Sequence, residues 1–183
     1  MSLPVSIRPV QISDADSVQK YASDVRLHAT CNLPSPYPEG GAIAFLTGAI
    51  QAEETGGNLL FAIMHADEFV GLMGLNGVRP AEGTADLDYW LGFPFWGRGI
   101  ATRAASLVIS HAFQNLNLIT LFSGGLVRNR ASLRVLEKNG FTKIEEHVYG
   151  GPFKDRFGGE MMTRFHLHKH EYNSMLIARD PTK

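Results

Sequence analysis

Hydrophobic and polar positions change period along this chain, and the changes mark its elements. Val5 to Val10 reads as a short strand with Pro9 near its end. Ser13-Asp14-Ala15-Asp16 then looks like a helix start: Ser13 can cap it, and both acids suit the positive end of the helix dipole. That helix is expected to run to about Ala29. Pro34, Pro36 and Pro38 make the stretch from Cys31 to Gly41 a loop. A second helix is expected from Gly41 to Glu54, stopping at Gly56-Gly57. The apolar runs Leu59 to His65 and Phe69 to Val78 flank Ala66-Asp67-Glu68 and predict an antiparallel hairpin, with Thr84 to Leu91 as the next strand.

The period then becomes helical. Ala101, Ala104, Ala105, Val108 and Ala112 fall on one face, with small side chains that let a helix lie close to a sheet. Leu118 to Ser123 is the next expected strand. Asn129 can cap a short helix to Lys138, and Asn139-Gly140 supplies its stop, with Phe141 folding back. Phe141 to Tyr149 and Glu160 to His168 predict a closing strand pair, and the last dozen residues carry little pattern. The order implies one mixed α/β domain, antiparallel at first, with at least one helix-linked crossover.

Composition narrows the class. The chain has 183 residues, 44% of them hydrophobic and 19% charged, which excludes a collagen-like, coiled-coil or largely disordered protein. Its net charge of -1 offers no general attraction to nucleic acid or anionic membrane. One cysteine, Cys31, excludes an intrachain disulfide framework. No apolar run approaches the roughly 20 residues that span a bilayer, so a soluble cytoplasmic protein is expected. His166, His168 and His170 alternate, but no Cys or acidic partner reinforces them as a metal site, and no metal is expected.

The stretch Trp96-Gly97-Arg98-Gly99-Ile100-Ala101-Thr102 carries the clearest chemistry. It follows a strand and opens the Ala-rich helix, where free N–H groups and the helix dipole favour an anion. Gly97 and Gly99 remove side chains that would hold a phosphate off the backbone, while Arg98 adds charge and Thr102 a hydroxyl. Nucleotide-triphosphatase and dinucleotide fingerprints are absent. The alternative is a tight turn whose glycines serve packing alone. On the preceding strand, Asp86, Asp88 and Trp90 share one face and Ala85, Leu87, Tyr89 and Leu91 the other.

Trp96-Gly97-Arg98-Gly99-Ile100-Ala101 resembles the pyrophosphate signature of the GNAT N-acetyltransferases, with Trp96 at the position usually held by Arg or Gln. Farther on, Asn129-Arg130-Ala131-Ser132 and Glu137-Lys138-Asn139-Gly140-Phe141 are similar to that family's Asn-x-x-Ser and Glu-Lys-x-Gly-Phe, in particular to the branch of ribosomal-protein N-terminal acetyltransferases. The resemblance covers residues 5 to 168. It implies the GNAT α/β fold, a mixed central sheet of about seven strands flanked by about four helices. Residues 1–170 would form a single acetyltransferase domain and 171–183 a C-terminal tail.

The resemblance also implies acetyl-coenzyme A as cosubstrate and an amine as acceptor. Leu91 and Phe93 would offer backbone groups to the pantetheine; Trp96, Gly97, Arg98, Gly99, Ile100, Ala101 and Thr102 would surround the pyrophosphate. Asn129 would bond the coenzyme, and Ser132 would orient it or donate to the leaving sulfur. Asp86, Asp88 or Glu160 would take the amine's proton, although any of them can equally be surface decoration. Many relatives carry a Tyr where Leu136 stands, which keeps a non-catalytic coenzyme-binding domain as an alternative. The acceptor would be a protein terminal α-amine or a small amine: polyamine, amino acid or antibiotic. Tyr37 and Phe153 to Phe157 would flank it, while Phe93, Phe95 and Trp96 would pack beneath the coenzyme or meet the partner of a homodimer.

Overall fold

A computed structural model describes residues 3–179. Seven strands form one sheet in the order β1-β2-β3-β4-β5-β7-β6: β1 (Val5–Pro9), β2 (Leu59–His65), β3 (Glu68–Arg79), β4 (Thr84–Leu91), β5 (Thr120–Leu126), β6 (Thr142–Val148) and β7 (Met161–His168). Every neighbouring pair is antiparallel except β4 with β5, whose parallel pairing requires a crossover. The crossover is the Ala-rich helix α4 (Ile100–Gln114), preceded by α1 (Ala15–Ala22), α2 (Val25–His28) and α3 (Gly41–Glu54). It is followed by α5 (Arg130–Lys138), α6 (Lys154–Phe157) and α7 (Lys169–Arg179). The mixed seven-stranded sheet with flanking helices is the fold that the sequence implied. Among the described residues, no helix is long and apolar enough to cross a membrane.

Burial follows the layers. Residues 69 to 75 of β3 are buried without alternation, because helices cover both faces of the central strands. Ala104, Ala105, Val108 and Ala112 of α4 have no exposed surface, which is what lets that helix lie close to the sheet. At the other edge, every residue of β6 is exposed.

Two expectations need correction. The helix predicted from Ser13 to Ala29 is a 3-10 turn over Ile12–Asp14 followed by α1 and α2. Gln11 and Asp14 form the capping box in place of Ser13, and Asp24 adopts extended backbone and accepts from Arg26 N–H at 3.0 Å, starting α2 afresh. The second correction lies at the C-terminus. Residues 169–179 are the helix α7, and Tyr172 is buried in the main core, tilted against Phe113 of α4 at 5.3 Å between ring centroids. The expected tail is thus helical to residue 179; 180–183 lie outside the described residues.

Candidate active site

β4 and β5 pair only from Thr84–Thr120 to Asp86–Phe122. The next link is a side chain: Ser123 Oγ donates to the Leu87 carbonyl at 2.7 Å. Beyond it the two strands separate, leaving a gap at their C-terminal ends. Two different surfaces flank that gap.

One surface is the mouth of α4. Gly97 (φ 74°) and Gly99 (φ 75°) both hold the left-handed conformation that costs other residues strain. A methyl group built on either would meet nothing within 4 Å, so the space in front of this backbone is open. No side chain caps the helix, and Gly97, Arg98 and Gly99 are exposed. Ile100 is anchored in the core, while Ala101 and Thr102 are half-buried. The arrangement suits a phosphate group. Just upstream, the Gly92 N–H bonds the Val70 carbonyl at 2.9 Å, so alternation turns the Leu91 backbone groups away from β3 and toward the gap. The Leu91 carbonyl already accepts from the Trp96 indole at 2.8 Å, and the Phe93 carbonyl from Trp96 N–H at 3.1 Å. Of these two residues, the N–H groups are the donors left for a ligand.

The distant motif on α5 meets this mouth. Asn129 Oδ1 accepts from Ser132 N–H at 3.3 Å as the helix cap, while its Nδ2 has no partner among the described residues. Gly140 (φ 87°) closes the helix by donating to Glu137, and Phe141 N–H reaches the Leu136 carbonyl. The buried Asn139 amide donates to Val135 at 2.9 Å and to the Thr102 carbonyl at 3.2 Å, tying the end of α5 to the first turn of α4. Ser132 Oγ lies 2.8 Å from the Tyr89 hydroxyl of β4.

The other surface is a cavity of about 330 Å³ lined by Asn76, Gly77, Asp86, Asp88, Ser123, Gly124, His147, Met162, Thr163 and Arg164. It brings together Asp86 and Asp88 and differentiates them. Asp86 is neutralised by Arg164 at 2.7 Å, with Arg79 at 3.7 Å. Asp88 accepts from Asn76 Nδ2 at 2.9 Å and forms no ion pair among the described residues. Asp88 is exposed at the cavity mouth, yet the protein crowded around its carboxylate leaves it partly desolvated and pushes its pKa up. The Asn76 bond and Arg164 oppose that rise, and Asp86 adds to it.

Glu160 does not line this cavity. Arg128 grips it with two bonds, one at 2.9 Å, and also donates to the Ala29 carbonyl. The guanidinium holds the Glu160 carboxyl below its usual range. The aromatics also divide. Phe95 is buried, whereas Phe93 and Trp96 are exposed and tilt against each other at 5.2 Å, so only Phe95 packs beneath the helix mouth. Phe157 joins Leu126 and Tyr149 in a small second core, with Phe153 against it, and Tyr37 packs on the main core as a loop anchor. Arg156 of α6 donates to the His28 and Leu33 carbonyls, fastening the proline-rich loop. Sequence reading missed Asn76, His147 and Arg164; the alternation of β7 was visible, but nothing local placed it beside β5. Among the described residues, no three His, Cys, Asp or Glu side chains are grouped to hold a metal ion.

Known proteins share this architecture. A probable N-acetyltransferase, YjcK of Bacillus subtilis, is 31% identical over 146 residues, 76% of this chain and 81% of the relative. Among solved structures, the RimL ribosomal L7/L12 alpha-N-protein acetyltransferase in complex with coenzyme A superposes with a TM-score of 0.81 at 18% identity, covering 92% of this chain and 98% of that one. The spermidine N-acetyltransferase of Vibrio cholerae in complex with coenzyme A and spermine gives 0.80 at 16% identity, with the same coverages. Residues 5–142 match the acetyltransferase (GNAT) domain, and on that match, which takes in the gap and the mouth of α4, the chain belongs to the GNAT acetyltransferase family.

Proposed function

We propose that this protein transfers the acetyl group of acetyl-coenzyme A to a primary amine, and that the amine is the terminal α-amine of a protein. One observation carries the reading: the β4–β5 gap joins an open, uncapped helix mouth to a cavity holding one carboxylate that has no ionic partner among the described residues. The pyrophosphate fits over the amides from Gly97 to Thr102, with Arg98 supplying charge. The Leu91 N–H faces the gap and is available to the coenzyme's acyl end; Asn129 has its Nδ2 to offer. The amine approaches from the cavity and attacks the thioester carbon, forming the C–N bond as the C–S bond breaks. Asp88 accepts the proton that the nitrogen must lose; its raised pKa makes it a better base than an ordinary surface carboxylate. Holding both reactants in line supplies much of the remaining acceleration. Asp86, already neutralised, and Glu160, clasped by Arg128 away from the cavity, have no part in this proton transfer.

The charge balance of the cavity supports an acceptor with a single ammonium. Arg164 compensates Asp86, and Arg79 at the cavity's edge is shared with Glu82 at 3.1 Å, so Asp88 is left as the single uncompensated carboxylate of the lining, one charge rather than the several a polycation would call for. A terminal α-amine suits that balance better than a polyamine. Thiol release from acetyl-coenzyme A should therefore be faster with short peptides bearing free N-termini than with spermidine or free amino acids, and calorimetry should detect coenzyme A binding. Coenzyme binding without turnover on any amine would favour the non-catalytic alternative. Preference for spermidine would overturn the choice of acceptor.

A further inference from the structure

We infer that Tyr89 is a positioning residue for Ser132, the two hydroxyls forming a relay that steadies the departing sulfur. The inference rests on the acetyl-transfer reading above. Tyr89 stands on β4 and faces away from Asp86 and Asp88; Ser132 lies in the first turn of α5. The Tyr89 hydroxyl is 2.8 Å from Ser132 Oγ and 2.9 Å from the Ser132 carbonyl oxygen. A methyl group built on Gly125 of β5 would come within 3.8 Å of the same Oγ. The serine hydroxyl thus sits between β4 and β5 after their pairing has ended, on the side of the gap opposite the acidic cavity.

Proton counting gives the pair its use. The phenol has one proton and two acceptors within reach. While it donates to the Ser132 carbonyl, the serine proton can turn back to the phenol oxygen. When it donates instead to Ser132 Oγ, the serine proton is released to point into the gap. As the C–S bond breaks and its electron pair moves onto sulfur, the second arrangement is favoured: Ser132 O–H donates to sulfur and Tyr89 O–H donates to Ser132. Each proton stays on its own oxygen, and water protonates the released thiolate. Burial, which pushes the Tyr89 phenol up, keeps it a donor throughout. This supplies from β4 the phenol that Leu136, buried in the core, does not supply from α5.

The test is a double-mutant cycle of Tyr89→Phe and Ser132→Ala, using the best amine from the acceptor panel. Phe retains the ring, and thermal melting checks that each variant folds. Each single change should lower kcat about fivefold to tenfold, with KM for acetyl-coenzyme A and the affinity for coenzyme A held within about twofold. The double variant should be no slower than Ser132→Ala, since the phenol acts only through the serine. Wild-type kcat in Tyr89→Phe, or losses that multiply in the double variant, overturns the relay while leaving acetyl transfer intact. A folded wild type that binds no acetyl-coenzyme A, or binds it and acetylates no amine, overturns both.

Discussion

The two sides of the β4–β5 gap are built by different means. The mouth of α4 is one continuous segment whose chemistry is backbone: two left-handed glycines, uncapped N–H groups and open space before them. The acidic cavity is side-chain chemistry assembled from β3, β4, β5, β6 and β7, and its character depends on which charges are cancelled. A backbone site tolerates changes that keep φ and leave the space clear. A charge-balanced site changes function when one partner is lost.

The largest expected effect tests that contrast at Asp88. Asp88→Asn keeps an acceptor for the Asn76 amide but removes the proposed base, and should lower kcat/KM by about a hundredfold. If Asp88 is the base, the wild-type rate should fall on acidification in a window above the ordinary carboxylate range, because a base must be ionised and the pKa of Asp88 is raised. The stability effect has the opposite sign. A carboxyl whose pKa is higher folded than unfolded contributes stability below its unfolded pKa and loses it as pH rises through the folded one. Asp88→Asn should therefore melt higher than wild type at neutral pH while being nearly inactive. Retention of the acidic limb by the variant would give the proton to another group.

A smaller effect tests the backbone side. Gly99→Ala must hold φ near 75° with a side chain, and its methyl enters the space proposed for the pyrophosphate. It should weaken coenzyme A binding about tenfold and cost about 1 kcal/mol of stability. A stability loss with unchanged affinity, read by calorimetry, would move the anion elsewhere. The smallest effect is expected at Glu160→Gln, where kcat/KM should stay within about twofold because Arg128 holds the carboxylate outside the cavity. A large loss in rate there, with normal melting, would bring Glu160 back as the base.

What the sequence disclosed follows the same division. The helix mouth was legible because its glycines, arginine and helix onset lie within a few adjacent positions, and β4 showed its two acids by simple alternation. The unequal state of those acids was hidden: Arg164 reaches Asp86 only because β7 inserts between β5 and β6, an arrangement no local pattern encodes. The break at Asp24 was masked by apolar spacing on both sides, where one side-chain cap prevailed over helical continuity. Helix α7 gave little signal because its outer positions mix polar and apolar residues; Tyr172 is its buried anchor.

The Asn139 amide has a bearing on engineering. By bridging Val135 and Thr102 it braces the end of α5 against the first turn of α4, so the glycine loop and the α5 segment share one support. A graft of residues 92–102 alone into another scaffold would bring the loop without its brace, leaving the first turn to settle by itself. Moving 92–141 whole would carry the brace along, and chimeras with GNAT relatives are best joined outside those limits.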